Sequence, residues 1–344
     1  MYLVYACVFY NADYIRLLEL LLLSLRFYSK GDFDILILTS ESFMGKISDL
    51  SQRIGLPLQI HCLPCSTIFE AACARLHIFD WPRIGFYKKI LYIDTDIIIR
   101  RDMTTLFNLE LDDLLYGYPS GTLESPQFGG QFFNFSIIDH TLSGVNSGTL
   151  LFNNCQVIRD LFTRIRSHID EHLSQGKAIP IVMDQPFINY HAFLSGLCNT
   201  ALLTPYISLY EDTLEVNNCD TAIVCHFSYP IGNFGHKYAR MCDFFKGLVT
   251  EKKTSTLNLA GRRYAWELGF ISFHIDKVET TWGKGIFTLL GDNVVRVVWN
   301  SHDHILKFSD DLSEYMSIRI APRDFDCVLG SLSDATFSAD KRDE

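Results

Sequence analysis

Residues 88–101 read KKILYIDTDIIIRR, so two carboxylates one residue apart, Asp94 and Asp96, interrupt an apolar run with Thr95 between them. The stretch before them is β-branched and aromatic and too short for a core helix, which makes it a buried parallel strand ending at Asp94. If the backbone stays extended, side chains two apart share a face, and the two carboxylates meet. Unpaired, they would repel and resist desolvation. A divalent cation removes that conflict, and two protein carboxylates leave coordination positions open for the phosphate oxygens of a substrate. The bland alternative is a turn acid followed by a helix-capping acid, but Ile97-Ile98-Ile99 is a poor first helical turn.

Other polar groups stand at the ends of apolar runs. The run 222–225 ends at His226, whose imidazole would complete a mixed carboxylate and nitrogen donor set, one that suits Mn²⁺ better than Mg²⁺. Gly232, Gly235, His236 and Lys237 follow it: glycine permits close backbone approach to a ligand, and lysine supplies a point charge for phosphate. Asn146-Ser147-Gly148 leads into an apolar strand at 149–152 and by itself is an ordinary turn. Asp184-Gln185 before Pro186 reads equally as a helix start running to Phe193 and as a catalytic pair. Tyr14, just beyond the first strand, is placed either to stack on a nucleobase or to begin a helix as a core tyrosine.

These groups need a scaffold. Strands are expected at 2–9, 34–38 and 58–62, alternating with helical patterns at 14–28, 41–54 and 67–79, the last ended by Pro82. Alternation of this kind means right-handed β-α-β units, an α/β fold with a mostly parallel, Rossmann-like sheet flanked by helices. Ligands of such sheets bind at the carboxyl ends of strands where the strand order reverses, and both the 11–14 turn and residues 94–96 lie at such ends. No G-x-G-x-x-G follows the first strand, which weakens a dinucleotide reading. After a short helix at 103–111 and a strand at 115–118, the stretch 119–141 has no clear period and reads as a loop facing an acceptor. Helices are expected at 154–172, capped by Asn154, and at 238–248.

The 344 residues suit one large domain and one small, and the formal charge of −10 argues against a nucleic-acid partner. The apolar start MYLVYACVFYNADYIRLLELLLLSLRF has no basic leading region, and Asn11, Asp13, Arg16 and Glu19 interrupt it, so no transmembrane segment or signal peptide is expected. Ten cysteines without a leader point to a reducing compartment, the cytoplasm, with thiols acting as small hydrophobes. Cys62-Leu63-Pro64-Cys65 is a lone C-x-x-C with no second pair. The expected organisation is a catalytic domain at 1–250, a polar linker at 251–269, a small antiparallel β-module at 270–330 with strands at 270–275, 285–290, 294–299, 304–308 and 315–320, and a loose tail at 331–344. His302-Asp303-His304 reads as a hairpin turn before it reads as a metal site.

The ordered set N-x-D-Y at 11–14, A-R-L-H at 74–77, K-I-L-Y-I-D-T-D, V-N-S-G, M-D-Q-P-F-I-N and H-F at 226–227 with downstream Gly and Lys resembles the glycogenin-like glycosyltransferases of family 8, over about residues 1–245. The resemblance implies a GT-A fold with its D-x-D motif, a UDP-sugar donor, Mn²⁺, or Mg²⁺ in its place, and retention at the anomeric carbon. It implies Asp94, Asp96 and His226 as metal ligands, Asn11 and Tyr14 on the base, and Arg75 where a lysine commonly faces the donor. Asn146, Asp184 and Gln185 would line the sugar pocket, with Asp184 and Gln185 carrying catalysis, and Gly232 and Lys237 would close over the diphosphate. Val8, Thr95 and Ser147 belong with the donor-binding residues. The chain departs from the pattern at Ile181, where these enzymes carry an extra acid, and at Lys237-Tyr238-Ala239-Arg240, which lacks the usual tryptophan. The expected reaction moves a hexose or pentose to a glycan or protein-linked hydroxyl by front-face transfer. A non-catalytic sugar-nucleotide or glycan-binding protein and a UDP-sugar hydrolase are the competing readings.

Overall fold

The computed structural model describes residues 1–211, 214–215, 221–228, 234–251, 257–291, 293–320 and 325–333. The chain divides into two compact units, Met1–Ser51 with Leu56–Met241, and Gln52–Gly55 with Cys242–Glu344. In chain order the elements are β1 (Tyr2–Val8), α1 (Tyr14–Tyr28), β2 (Phe33–Thr39), α2 (Glu41–Ile54), β3 (Leu58–Cys62), α3 (Ile68–Cys73), β4 (Lys89–Ile93), β5 (Ile97–Ile99) and α4 (Thr104–Phe107). There follow β6 (Leu115–Thr122), β7 (Ser143–Asn153), α5 (Gln156–Ser174), α6 (Gln185–Leu194), β8 (Cys198–Asn199), β9 (Ile207–Glu211), β10 (Leu214–Glu215), β11 (Val224–His226) and α7 (Phe234–Thr250).

A seven-stranded sheet has the order β3-β2-β1-β4-β7-β6-β8. The first four strands are parallel, and β7 runs antiparallel between β4 and β6. Because β1 sits between β2 and β4, the order reverses beside it, and the carboxyl ends of β1 and β4 border the resulting crevice. The apolar stretch at the chain's start is core: α1 buries Leu17, Leu18 and most of its leucines, and among the described residues no helix is long and apolar enough to cross a membrane.

A second sheet, β10-β9-β11-β5, pairs β5 antiparallel with β11. The chain thus leaves one sheet for the other between Ile93 and Ile97, through a turn at Thr95 and Asp96. This corrects the expected extended backbone: β4 and β5 have different partners, so the chain bends where its side chains are polar. Ser24 of α1 anchors the far side, its hydroxyl accepting from Ile99 N at 2.9 Å.

Three further expectations change. The helical pattern at 67–79 is α3, closed by a Thr67 and Glu70 capping box, and then a 3₁₀ turn, Ala74–Asp80, that carries Arg75. The loop expected at 119–141 is shorter, because β6 and β7 extend as a bulged antiparallel pair to Thr122 and Ser143. Asn154 does not cap α5; its amide donates to Ile84 O and Tyr87 O at 2.8 Å each.

The second unit holds a closed antiparallel barrel of eight strands: β12 (Arg263–Trp266), β13 (Gly269–Phe273), β14 (Val278–Thr280), β15 (Gly283–Gly291), β16 (Val294–Trp299), β17 (His302–Phe308), β18 (Glu314–Ile320) and β19 (Phe325–Leu332). β12 pairs with β19 to close it, with Tyr264 opposite Leu332. The stretch expected as linker therefore contains the first strand, and the stretch expected as tail contains the end of the last. Only Tyr264 of β12 is buried, so the alternation that marks a strand is faint there. In β19, Gly330 stands opposite Tyr315, and a Cβ on it would lie 2.4 Å from that ring. The turn between β16 and β17 uses Asn300 and Ser301 at φ 44° and 69°, the left-handed pair a two-residue hairpin requires, so His302-Asp303-His304, expected as the turn itself, instead opens β17 opposite Trp299, Val298 and Val297.

Candidate active site

The structure brings Asp94, Asp96 and His226 together: one ligand atom from each lies within 4.8 Å of the others. Backbone pairing does the positioning. Asp94 N donates to Gly148 O at 2.8 Å, and Phe227 N donates to Asp96 O at 2.9 Å. His226 pairs across the sheet with Ile97, next to Asp96, and its Nε2 stands 3.2 Å from Asp96 Oδ1. That oxygen is buried and accepts no hydrogen bond. Gly148 makes the convergence possible, since a Cβ there would lie 2.3 Å from His226 Cε1 and 2.8 Å from Asp94 Oδ2.

A carboxylate oxygen left without a donor, an imidazole nitrogen, a second carboxylate and a space that only glycine leaves open form a donor set that fits a divalent cation of the Mn²⁺ kind. On its other oxygen Asp96 accepts from Lys237 Nζ at 2.5 Å. Burial pushes the Asp96 carboxyl up, but Lys237 and His226 outweigh it and hold the group below the usual carboxylate range. Burial likewise works against the charge on Lys237, and Asp96 overcomes it, raising the ammonium.

Arg75 is the hub of the polar network. Its NH1 donates to Ser147 O at 2.6 Å and to Asp94 Oδ1 at 3.4 Å, and its NH2 donates to Asp184 Oδ1 at 3.2 Å. Its Nε is 2.9 Å from Asp184 Oδ2, but the single Nε hydrogen goes to Ala72 O, so that carboxylate oxygen has a charge beside it and no hydrogen bond. Burial pushes Asp184 up to about 6 against the pull of Arg75. Tyr92, two residues before Asp94 on the same strand face, donates its hydroxyl to Asp94 Oδ1, and the Arg75 guanidinium lies over its ring at 4.6 Å.

Asp184 is 0 % exposed and stands at the N-cap position of α6 without making a side-chain cap bond. Gln185 accepts from Ser147 N at 3.0 Å and donates to Gln127 O at 3.1 Å. Asn146 turns the chain, accepting from Gly148 N at 2.9 Å, and Thr95 is buried beside the acids. Tyr14 is 40 % exposed at the start of α1, and Asn11 is exposed with its side chain taken by Asp13 N at 2.9 Å. Val8 is fully buried, its carbonyl accepting from Thr39 Oγ1 at 2.7 Å. Gly232 lies outside the described residues.

Sequence reasoning missed Tyr92, Gly148 and Asn189. Two-residue spacing on β4 was the available signal for Tyr92. Asn189, the last residue of M-D-Q-P-F-I-N, clamps β7 by accepting from Val145 N at 2.6 Å and donating to Val145 O at 2.9 Å, a partner 44 positions away that nothing local announces. Cys62 and Cys65 are unpaired, and burial raises both thiols, Cys65 to about 11, which suits neither a metal thiolate nor a redox pair.

The sheet order, the acids at the switch between two sheets and the flanking helices define a GT-A glycosyltransferase fold. The solved structures similar to this chain include the galactosyltransferase LgtC in complex with donor and acceptor sugar analogs, 16 % identical, covering 74 % of this chain and 98 % of that one at a TM-score of 0.50. Mouse xyloside xylosyltransferase 1 is 14 % identical over 67 % of this chain and 99 % of its own, with a TM-score of 0.48. The glycosyltransferase GlyE of Streptococcus pneumoniae TIGR4 is 23 % identical over 58 % of this chain at a TM-score of 0.40, and the match spans 45 % of GlyE. No protein family and no curated protein matches the sequence.

Proposed function

We propose that this chain is a retaining glycosyltransferase of the family 8 kind, moving a hexose or pentose from a UDP-sugar to a hydroxyl of a glycan or protein-linked acceptor. The observation that carries the reading is the convergence of Asp94, Asp96 and His226 around the space left by Gly148, at the crevice where the sheet reverses. Asp94, Asp96 and His226 would hold Mn²⁺ or Mg²⁺. Bound there, the cation supplies the positive charge that a departing nucleoside diphosphate requires. LgtC, of the same fold, was solved with donor and acceptor sugar analogs, which fits a two-substrate transfer.

The chain's own residues then have distinct tasks. Tyr14, half exposed at the start of α1, offers a ring for the base, and the Asn11 turn fixes its approach. Lys237, held here by Asp96, would offer its ammonium to a donor phosphate oxygen. Arg75 keeps Asp94 and Asp184 aligned, and Gln185, held by Ser147 and Gln127, presents its amide edge to the sugar. Asp184 has no exposed surface, accepts from Arg75 on one oxygen and has the guanidinium 2.9 Å from the other, an arrangement poorly suited to a covalent nucleophile. The front-face route follows: the acceptor hydroxyl attacks from the side the diphosphate leaves, and a phosphate oxygen takes its proton. A trapped glycosyl adduct on Asp184 or Gln185, detected by mass, would overturn that route.

The decisive experiment is calorimetric titration against UDP- and GDP-sugars with and without Mn²⁺, repeated on the Asp94→Ala, Asp96→Ala double variant. Metal-dependent binding of a UDP-sugar that the double variant loses is the expected result. Failure of every nucleotide sugar to bind would sink the transferase reading.

A further inference from the structure

The two ends of the barrel are built differently. Tyr264, Phe273 and Phe308 fill one end, their rings 5.0 to 6.1 Å apart, and Tyr315 packs on Tyr264 while also bordering the cavity described next. Strand register puts a different set beyond them. Trp266 lies two residues past Tyr264 on β12, Trp299 pairs with His302, and His304 pairs with Arg319, which in turn pairs with Asp326. These residues do not fill their end. Together with the aliphatic Ile271, Leu306 and Val328 they line a cavity of about 420 Å³, whose wall also includes Trp282 from the turn before β15.

The chemistry of that wall is specific. Trp282 is 51 % exposed, and its ring sits 5.5 Å from that of Trp266, so a large aromatic surface borders the cavity. Trp299 is stacked by His304 at 4.4 Å, and the histidine is oriented by its Nδ1 contact with Ser317 Oγ at 2.9 Å. Arg319 NH1 and Asp326 Oδ2, 3.5 Å apart, add a planar donor and a planar acceptor that remain in contact with water. A barrel interior that only needed filling would carry apolar side chains at the positions of His304, Arg319 and Asp326 as well.

We propose that this open end is a saccharide-binding site that takes a pyranose unit of a glycan. A pyranose has a flat C–H face and a rim of hydroxyls. The face needs an aromatic platform, which Trp282 and Trp266 supply. The rim needs groups that donate and accept in a plane, which Arg319, Asp326 and His304 supply. The volume falls within the range of about 300–1,000 Å³ usual for small-ligand pockets, which recur in the mouths of barrels. An acyl chain would strip water from the Arg319–Asp326 pair and return no hydrogen bond. A phosphate would meet an arginine already neutralised by an aspartate. The inference goes beyond the transferase reading and stands without it.

The test is tryptophan fluorescence of the full chain titrated with maltose, lactose and diacetylchitobiose, alongside a glycan array. Saturable binding of at least one saccharide is expected, weakened by about tenfold or more in Trp282→Ala and retained in the Asp94→Ala, Asp96→Ala double variant. Circular dichroism checks folding. Should Trp282→Ala misfold, Arg319→Gln on the rim and saturation-transfer NMR on the unaltered chain carry the same test. No saccharide binding at all would overturn the proposal, as would binding that both rim variants leave unchanged or that disappears with the two aspartates. Binding of sodium decanoate in place of every saccharide would overturn it in favour of an apolar ligand. Because donor binding is read separately, failure here leaves the transferase reading as it was.

Discussion

Around Asp94 and Asp96 nearly every group is charged or polar, and each charge is held by another. Arg75 spans Asp94, Ser147 and Asp184, while Lys237 and His226 share Asp96. At the open end of the barrel the proportions invert, with three tryptophans and one ion pair left at the solvent. A buried charge must be cancelled within a few ångströms, so the first region is tightly coupled and a single deletion there strands a partner. An aromatic wall has no such obligation, and one ring can be removed while its neighbours remain satisfied. The first region is therefore suited to developing charge and the second to recognition of shape.

The sharpest way to break the contrast is Arg75→Met. It leaves Asp184 buried without its counter-charge, and urea unfolding should show a loss of about 3–5 kcal/mol, largely recovered when Asp184→Leu is added. If the single variant costs no more than Trp282→Ala, the coupling claimed for the first region is wrong.

The next test uses pH, because the two regions should respond with opposite sign. Burial raises Asp184 from 3.8 to about 6, so its contribution to stability is complete below 3.8 and is lost as pH rises through 6. Burial lowers His304 from 6.5 to about 4, with His302 and Arg319 adding to the effect, so its contribution is present above 6.5 and is lost as pH falls through 4. Each is worth about 3 kcal/mol at most over its window. Thermal unfolding between pH 4 and 6.5 should therefore show Asp184→Asn gaining stability relative to the parent as pH rises, and His304→Asn gaining it as pH falls. Parallel curves for the two variants would refute the assignment.

The smallest effects come from adding one methyl group to each region. Gly148→Ala drives a Cβ against His226 and Asp94, and Mn²⁺ affinity by calorimetry should fall by about 10- to 100-fold. Gly330→Ala drives one against the Tyr315 ring and should cost the barrel about 1–3 kcal/mol in unfolding experiments while Mn²⁺ affinity holds. A Gly330→Ala effect on Mn²⁺ binding would mean that the two regions are not energetically separate.

The elements that lay within one stretch of chain could be read there. The apolar run ending in two acids and the alternation of strands and helices through residue 62 follow from periodicity, which is a property of neighbours in sequence, whereas the turn expected at His302-Asp303-His304 lies two residues earlier, at Asn300 and Ser301. Their outlines were recovered, although β12 and β19 were not, since a barrel strand with a single buried side chain or an interior glycine has little period to read. The ordered motifs also named Asp94, Asp96, His226, Arg75 and Asp184 as one set. What they could not contain is how those residues meet. Arg75 and Asp184 are 109 positions apart, and only the packing of a 3₁₀ turn against the start of α6 makes them an ion pair. Gly148 matters because β7 brings its α-carbon against both Asp94 and His226, and Trp266, Trp299 and Arg319 share a cavity because a barrel closes. By itself the sequence determined which side chains could ionise, coordinate or stack, since those are local chemical properties; only the tertiary structure decided which lost their water and which partner replaced it, because desolvation belongs to a packed environment rather than to a residue.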